Sequence, residues 1–548
     1  MRLPAKDFFL KKNLEQEFQF RSKWFIGSIL IFLCFRLYWI AYFPMGNDEV
    51  YYWDWSRNIQ LSYLDAPPFV AWISYLGSLM FSGSLGARFL LPIIHVFSTL
   101  FLVLSGQKYA ELTAKKFNNE SALTLVILTQ LIPVFNLEGI FLLPDASLLL
   151  GISGALYFLL SSFNTKVNSL KYKFPIKNAF LFGLFLGISA LSKYHALPIA
   201  IGFFLAAAYI KLKINKTFDF TFWCVAIVVS ICVASPVFIW NYQNNFASFH
   251  FQSQHGFADF SLSYKNFFRF ILGTIFYLLP WFFVLFLAFI IKSFKERIQN
   301  NSFYMISTLP FLILLGIISY SALGKDALPH WTMPGFYLLI PCVALNWQPF
   351  TGAKARRWKV YISISLFLST VLPTLFSIKE FNNFLIKSFV YFTGNADPLT
   401  QAFLWQNLQT ELRNQLNIKI KTQAYPKLPQ MDSCANGYKI ASLRWYWTAQ
   451  MAFHFNEQPK IYNFDFTSSS FYTWRDDLTQ LAGCKFIVLG SLSHYNEKKI
   501  EQVMKIEYLE NFYLSPFDDT KIVLIKGTMK NKEILQEVYE KSKNEINF

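Results

Sequence analysis

Two adjacent carboxylates, Asp48 and Glu49, stand just beyond the first long apolar run, within Gly46-Asn47-Asp48-Glu49-Val50-Tyr51-Tyr52-Trp53. The preceding run from Trp24 to Phe43 is long enough to cross a bilayer at about 1.5 Å rise per residue. A carboxylate where a membrane helix meets water is costly unless chemistry or a partner uses it. Such an acid can take a proton from an acceptor hydroxyl or hold a charged substrate, so the pair points to catalysis at the lipid surface. The plainer alternative is that Asp48 caps a helix running from Glu49 to Leu61.

The elements that must position these acids are membrane helices. Apolar residues make up 54% of the 548-residue chain and charged residues 15%, against about 25% charged in a soluble protein. Hydropathy predicts about eleven transmembrane helices, over 24–43, 87–105, 121–136, 145–163, 179–192, 195–210, 220–240, 267–291, 303–322, 333–347 and 360–378. The polar, basic N-terminal residues and the lack of a small-residue cleavage site make the first run an anchor rather than a cleaved leader. The formal charge of +17 collects in alternate loops: Lys108/Lys115/Lys116, Lys166/Lys171/Lys173/Lys177, Lys211/Lys213/Lys216, Lys292/Lys295/Arg297 and Lys354/Arg356/Arg357/Lys359. The opposite loops hold little beyond Arg57, Lys193, Lys265 and Lys325. The basic set is therefore cytoplasmic, and no single face concentrates charge for nucleic acid.

That topology brings scattered polar residues to the other face. They are Asp48 and Glu49, Asp65, Asp145 at the start of the fourth span, Lys193-Tyr194-His195, His250 and His255, and Lys325, Asp326, His330 and Trp331. Acids, cations and histidines gathered at one boundary suit a lipid-linked anionic substrate. Singly, each has a duller explanation: Lys193 and Lys325 could snorkel, Asp145 could cap its helix, and the histidines could be surface residues.

Within loop 43–86, Tyr51, Trp55 and Ile59 have helical spacing, and Pro67-Pro68 opens a second helix from Phe69 to Phe81. Both suit helices lying in the interface. Residues 380–548 predict a small α/β domain: helices over 398–416, 443–455 and 532–543, and buried strands over 485–489 and 521–525. The domains are thus 1–379, transmembrane, and 380–548, extracytoplasmic. Cys34, Cys224, Cys232 and Cys342 lie in apolar runs and read as small core residues. Cys434 and Cys484 fall in the exported tail, where a disulfide is permitted if they lie within reach.

The same residues carry a family resemblance. Asn47 to Trp53, Tyr63-Leu64-Asp65-Ala66-Pro67-Pro68-Phe69-Val70-Ala71-Trp72, Leu143-Pro144-Asp145-Ala146, Gly187 to Tyr194, Pro236 to Asn241, Ser248 to Gln252, His255-Gly256-Phe257 and Pro329-His330-Trp331-Thr332-Met333-Pro334 follow one another in order. They resemble bacterial protein-mannosyltransferase-like glycosyltransferases of the GT-C membrane fold, a group similar to lipid A aminoarabinose transferase and protein O-mannosyltransferases. The resemblance implies a polyprenyl-phosphate-sugar donor, an envelope glycolipid (such as lipid A) or polysaccharide acceptor, and inversion at the anomeric carbon. It places the chain in the bacterial inner membrane with the site and tail periplasmic.

The resemblance also makes Asp48 catalytic with Asp145 as the second acid, Glu49 beside them, and Lys193, Lys325 and His330 donor phosphate-binding. Tyr52, Asp65, His255 and Trp331 complete the pocket. One departure stands out: relatives that transfer aminoarabinose carry a basic residue before the Pro-Pro, where this chain has Ala66. Asp65 and His255 are candidate ligands for a divalent cation, though two ligands do not define a metal site. Protein O-mannosylation is the alternative within the class. A flippase or transporter would show broken helices in matching halves and ionisable groups at mid-membrane, whereas these polar groups cluster at one face.

Overall fold

The computed structural model describes residues 17–163, 174–215, 218–257, 261–298, 302–324, 327–347, 355–382, 438–455, 458–465, 470–513 and 521–544, with Phe384, Ser388, Trp405 and Cys434. Six described helices are long and apolar enough to cross a membrane: Lys23–Tyr42, Gly83–Leu112, Ala196–Lys213, Phe220–Gln243, Ser302–Gly324 and Ala355–Phe376. A seventh results if Tyr264–Leu278 and Pro280–Lys295, bent by 102° against each other, count as one. The chain is a multi-pass membrane protein.

The remaining expected runs form helices that are shorter or broken. The 121–136 run breaks into Asn119–Gln130 and Pro133–Leu137, because proline cannot continue a preceding helix. The runs at 145–163 and 179–192 form Pro144–Leu160 and Ile176–Ser192, each 17 residues long. The 333–347 run forms Met333–Asn346, in which every residue from 333 to 345 is buried. A helix apolar all round and packed on all sides is the centre of the bundle, and hydropathy does not tell it from a lipid-facing span.

One buried cation ties the bundle together. Arg36 in the first span is 1% exposed, and its Nη2 donates to Gln130 Oε1 and Asn136 Oδ1, both at 2.6 Å. Asn136 Nδ2 in turn donates to the Ser369 carbonyl at 2.6 Å, inside a π-helical turn over Phe367–Val371. Such turns shift the backbone ladder and release acceptors. Gly139 passes so close that a Cβ there would meet Arg36 Nε at 2.5 Å. This clamp positions the 133–145 segment, and hence two acids of the site.

The tail folds around a 5-stranded sheet of order β2-β1-β3-β5-β4. Its strands are β1 Lys439–Ser442, β2 Ile461–Asn463, β3 Lys485–Ser491, β4 Met504–Tyr513 and β5 Lys521–Met529. β1 runs parallel to β2 and β3; β5 runs antiparallel to β3 and β4. Side chains alternate between two cores. Ile440, Ile487, Leu489, Ile522 and Leu524 pack with the first loop. Ala441, Phe486, Val488, Val523 and Ile525 face Ile500 and Leu535 on the other side. Burial on both faces is why β3 and β5 read as continuous apolar runs. The predicted helix over 398–416 lies, Trp405 apart, outside the described residues. Cys434 and Cys484 form a disulfide, their Cα atoms 4.9 Å apart. Of the other four cysteines only Cys342 is buried; Cys34 and Cys232 face outward. The expectation of core thiols thus fails there, since in a membrane protein the outer surface is apolar too.

Candidate active site

The Asn47–Ser56 helix starts from Gly46, whose N–H donates to Glu49 Oε2 at 2.9 Å. Gly46, and not Asp48, is the N-cap. Arg88 grips Glu49 through Nε at 2.7 Å and Nη2 at 2.5 Å, and donates to the carbonyls of Phe43 and Pro44 at 2.6 and 3.0 Å. Leu142 N–H adds a bond to Glu49 Oε1 at 2.8 Å. Arg88 reaches this point because Gly83–Arg88 lies flat on Phe69–Ser78; a Cβ on Gly77 would strike the Gly86 carbonyl. Both Glu49 oxygens are therefore engaged, and the pair is buried at 4% and 0% exposure. Asp48, about 100° round the helix, is exposed instead. It is nonetheless crowded by protein: desolvation, then the Glu49 charge, raises its carboxyl above the usual range. Accessible yet crowded describes the wall of a recess.

Tyr52 marks the middle of that recess. Burial, then the fields of Asp48, Asp65 and Asp145, push its hydroxyl well above the ordinary tyrosine value. Asp65 accepts from Tyr51 Oη at 2.5 Å, and that oxygen accepts from Phe471 N–H of the tail at 2.7 Å. Burial outweighs these bonds and lifts the Asp65 carboxyl to about 6. The Asp65 carbonyl accepts from Gln252 at 2.6 Å, joining the 241–266 loop to the same wall.

Across the recess, Lys193 donates to both oxygens of Asp145 at 2.8 and 2.7 Å. Asp145 lies within the first turn of its helix, whose N-cap is Leu143, so neither simple capping nor snorkelling describes the pair. Glu138, 7% exposed, stands beside them, its carboxyl raised by burial and by Asp145. His330 is held down to about 4 and His195 to about 3, each by burial first and the Lys193 charge second. Both imidazoles are therefore neutral at pH 7. Trp331 meets His195 at 6.0 Å, and Tyr277 stacks on His330 at 6.3 Å. Tyr277 arrives there because its helix stops at Leu278: Leu279 takes φ 66° and Pro280 starts the next helix.

Of the residues singled out in the sequence, Asp48, Tyr52, Asp65, Asp145, Lys193, His330 and Trp331 come together. Lys325 and Asp326 lie outside the described residues, as does the His255 side chain. His250 is exposed on its helix. Among the described residues no three of His, Cys, Asp and Glu are arranged to hold a metal ion, and Asp65 is engaged by Tyr51. Arg88 and Glu138 escaped the sequence reading, although Glu138 lies between the expected spans 121–136 and 145–163, just before Asp145.

The tail forms part of the same wall. Arg475 reaches Asp54 of the first-loop helix at 3.0 Å while gripping Asp476 at 2.6 Å. Gln450 donates to Asn47 Oδ1 at 2.9 Å, and Trp53 packs edge-on to Phe453 at 4.9 Å. Replacing Arg475 with Ala leaves Asp54 to Arg57 at 3.3 Å and Asp476 to Lys460 at 3.2 Å but removes the ion pair that joins the tail to the first-loop helix, so the tail is expected to detach first. Limited proteolysis should then separate the tail from the membrane part at least tenfold faster than in the parent protein.

Comparison with known proteins follows this geometry. Residues 65–240 match the dolichyl-phosphate-mannose-protein mannosyltransferase family, a segment containing Asp65, Asp145 and Lys193 but neither Asp48 nor His330. The lipid A galacturonosyltransferase RgtD of Rhizobium johnstonii is 28% identical over 202 residues, spanning 36% of this chain and only 38% of that protein. ArnT from Cupriavidus metallidurans, in a crystal structure with undecaprenyl phosphate, superposes with a TM-score of 0.61 over 92% of this chain and 98% of that one. The chain resembles the GT-C glycosyltransferase family. The apo form of ArnT gives a TM-score of 0.59, again at 12% identity. At that identity the likeness concerns the GT-C fold alone, and residue roles rest on the geometry above.

Proposed function

We propose that this chain is an inverting glycosyltransferase that moves a sugar from a polyprenyl-phosphate-linked donor to an envelope glycolipid or polysaccharide on the extracytoplasmic face. The observation that carries this reading is the convergence of Asp48, Asp65 and Asp145 on Tyr52, from segments far apart in sequence. In the reaction, the bond between the anomeric carbon and the carrier phosphate breaks, and the phosphate leaves with the electron pair. The acceptor oxygen bonds to the opposite face of that carbon, and its proton passes to Asp48. A raised carboxyl is a stronger base than an ordinary aspartate. The leaving phosphate departs as an anion and needs cations rather than a strong acid. Lys193 is assigned that role with Lys325, and neutral His330 can donate a hydrogen bond there.

Glu49 is assigned to positioning rather than chemistry, since Arg88 and two backbone N–H groups occupy it. Similarity to a lipid A galacturonosyltransferase over part of the chain supports a glycolipid acceptor; the mannosyltransferase family match keeps protein O-mannosylation as the second reading. Residues 380–548 are proposed as a periplasmic domain that closes the site through Phe471 and Tyr51.

The decisive assay incubates the purified protein in detergent with a polyprenyl-phosphate sugar and follows sugar transfer. Failure to release sugar from any such donor sinks the enzymatic reading. Mass spectrometry of envelope glycolipids and exported proteins from a deletion strain separates the two acceptors by which pool loses a sugar. Lys193→Met is expected to lower kcat by about 100-fold or more. It also leaves Asp145 unpaired, so Lys193→Met with Asp145→Asn should restore thermal stability without restoring turnover.

A further inference from the structure

One carboxyl beside the recess has no work to do in the free protein. Glu138 is the C-cap of the Pro133–Leu137 helix, in the segment that the Arg36 clamp positions. It is 7% exposed, and its Oε2 is enclosed without a hydrogen-bond partner. Among the described residues no hydrogen bond or ion pair engages either of its carboxyl oxygens.

The charged and titratable groups around it come from several elements. Asp145 and Lys193 act on it from the Pro144–Leu160 helix and from the end of the Ile176–Ser192 helix. Tyr277 and Tyr337 lie within its field, and Arg36 and His95 pack on the neighbouring Gly139. The Lys193 ammonium already donates to both Asp145 oxygens, so it does not neutralise a second carboxylate. Ionised, Glu138 would be a buried anion next to another anion; protonated, it is a neutral polar group. Burial, then Asp145, raises its carboxyl well above the ordinary range, with Lys193 opposing.

A buried polar group without a partner calls for a reason, and a ligand that supplies the missing partner is one. The surroundings say which ligand. Tyr277, which feels the Glu138 charge, stacks on His330 at 6.3 Å, and Lys193 acts on both His330 and Glu138. Glu138 therefore borders the corner assigned to the leaving phosphate. The Lys193 and Asp145 charges cancel there, so the corner gains a negative charge when Glu138 ionises and none when it is protonated. An anion is favoured by the protonated form, which also brings an O–H donor.

We propose that Glu138 works as a carboxylic acid that donates a hydrogen bond to the carrier phosphate of the bound donor, beside Lys193 and His330. The assignment takes its ligand from the sugar-transfer reading, yet its probe, undecaprenyl phosphate, carries no sugar, so the two stand or fall separately.

The test titrates the full chain in detergent with undecaprenyl phosphate at pH 6 and pH 9, reading the shift in melting temperature and the complex retained in native mass spectrometry. Glu138→Gln keeps a hydrogen-bond donor and cannot ionise. It should bind like the parent at pH 6 and at least tenfold more tightly than the parent at pH 9; the phosphate's own titration is common to both. Glu138→Leu has no donor and should bind at least tenfold more weakly than the parent at pH 6. Without lipid it should melt no lower than the parent, because no bond is lost. Parent and Glu138→Gln responding alike at both pH values overturn the proposal, as does Glu138→Leu binding like the parent. If Glu138→Leu does not fold, the comparison of parent with Glu138→Gln decides. Lipid binding as expected, with no sugar released from any polyprenyl-phosphate donor, overturns sugar transfer and leaves Glu138 in its role; sugar transfer with Glu138→Gln matching the parent at both pH values does the reverse.

Discussion

Asp48→Asn is expected to lower sugar transfer by about 10³-fold, within the range for loss of a general base, while membrane insertion and melting temperature stay unchanged. Asparagine keeps the size of the side chain but cannot accept a proton. No hydrogen bond or ion pair of the described structure holds Asp48, so its replacement strands no partner. The pH profile sharpens the test. Desolvation and Glu49 raise the Asp48 carboxyl above its ordinary 3.8, and a base must be unprotonated to act. Activity should therefore fall as pH drops through a midpoint above 3.8, and any residual rate in the Asn variant should lose that limb. A fully active Asp48→Asn protein would refute the assignment of the base.

Arg88→Met should produce the largest loss of stability. Arg88 is 0% exposed and holds the Glu49 carboxylate and the Phe43 and Pro44 carbonyls. Removing one partner of a buried pair leaves an uncompensated charge, at a cost of about 3–5 kcal/mol. Glu49→Gln combined with Arg88→Met removes both charges and should regain most of that loss. The measurement is thermal unfolding in detergent of the two single variants and the double variant. Independent, additive losses would show that the pair is not the unit that holds Asp48 in place.

Much of the site was legible in the sequence, and for a specific reason. Hydropathy and the alternation of basic loops assign each polar residue to one side of the membrane before any packing is known. That was enough to gather Asp48, Asp65, Asp145, Lys193 and His330 at one boundary. The closing helix over 532–544 and strands β3 and β5 also follow from local pattern. Asp145 beside Lys193 is different: nothing in Leu143-Pro144-Asp145 or Ser192-Lys193-Tyr194 says that two helices meet there. Likewise Arg88 looks like an ordinary interfacial cation until Gly77 and Gly86 let its helix lie flat. Hydropathy alone does not tell protein from lipid surroundings: Met333–Asn346 reads as one of the eleven expected spans, yet every residue from 333 to 345 is buried in the bundle.

By itself, then, the sequence determined which segments avoid water and which polar residues are expected at the same end of the bundle, because both follow from transfer free energies that are local to the residue. Only the tertiary structure decided which charges neutralise one another. Glu49 is consumed by Arg88, Asp145 by Lys193 and Asp54 by Arg475, which leaves Asp48 accessible in the recess. Pairing energies depend on separation and burial, and both are set by how distant helices pack.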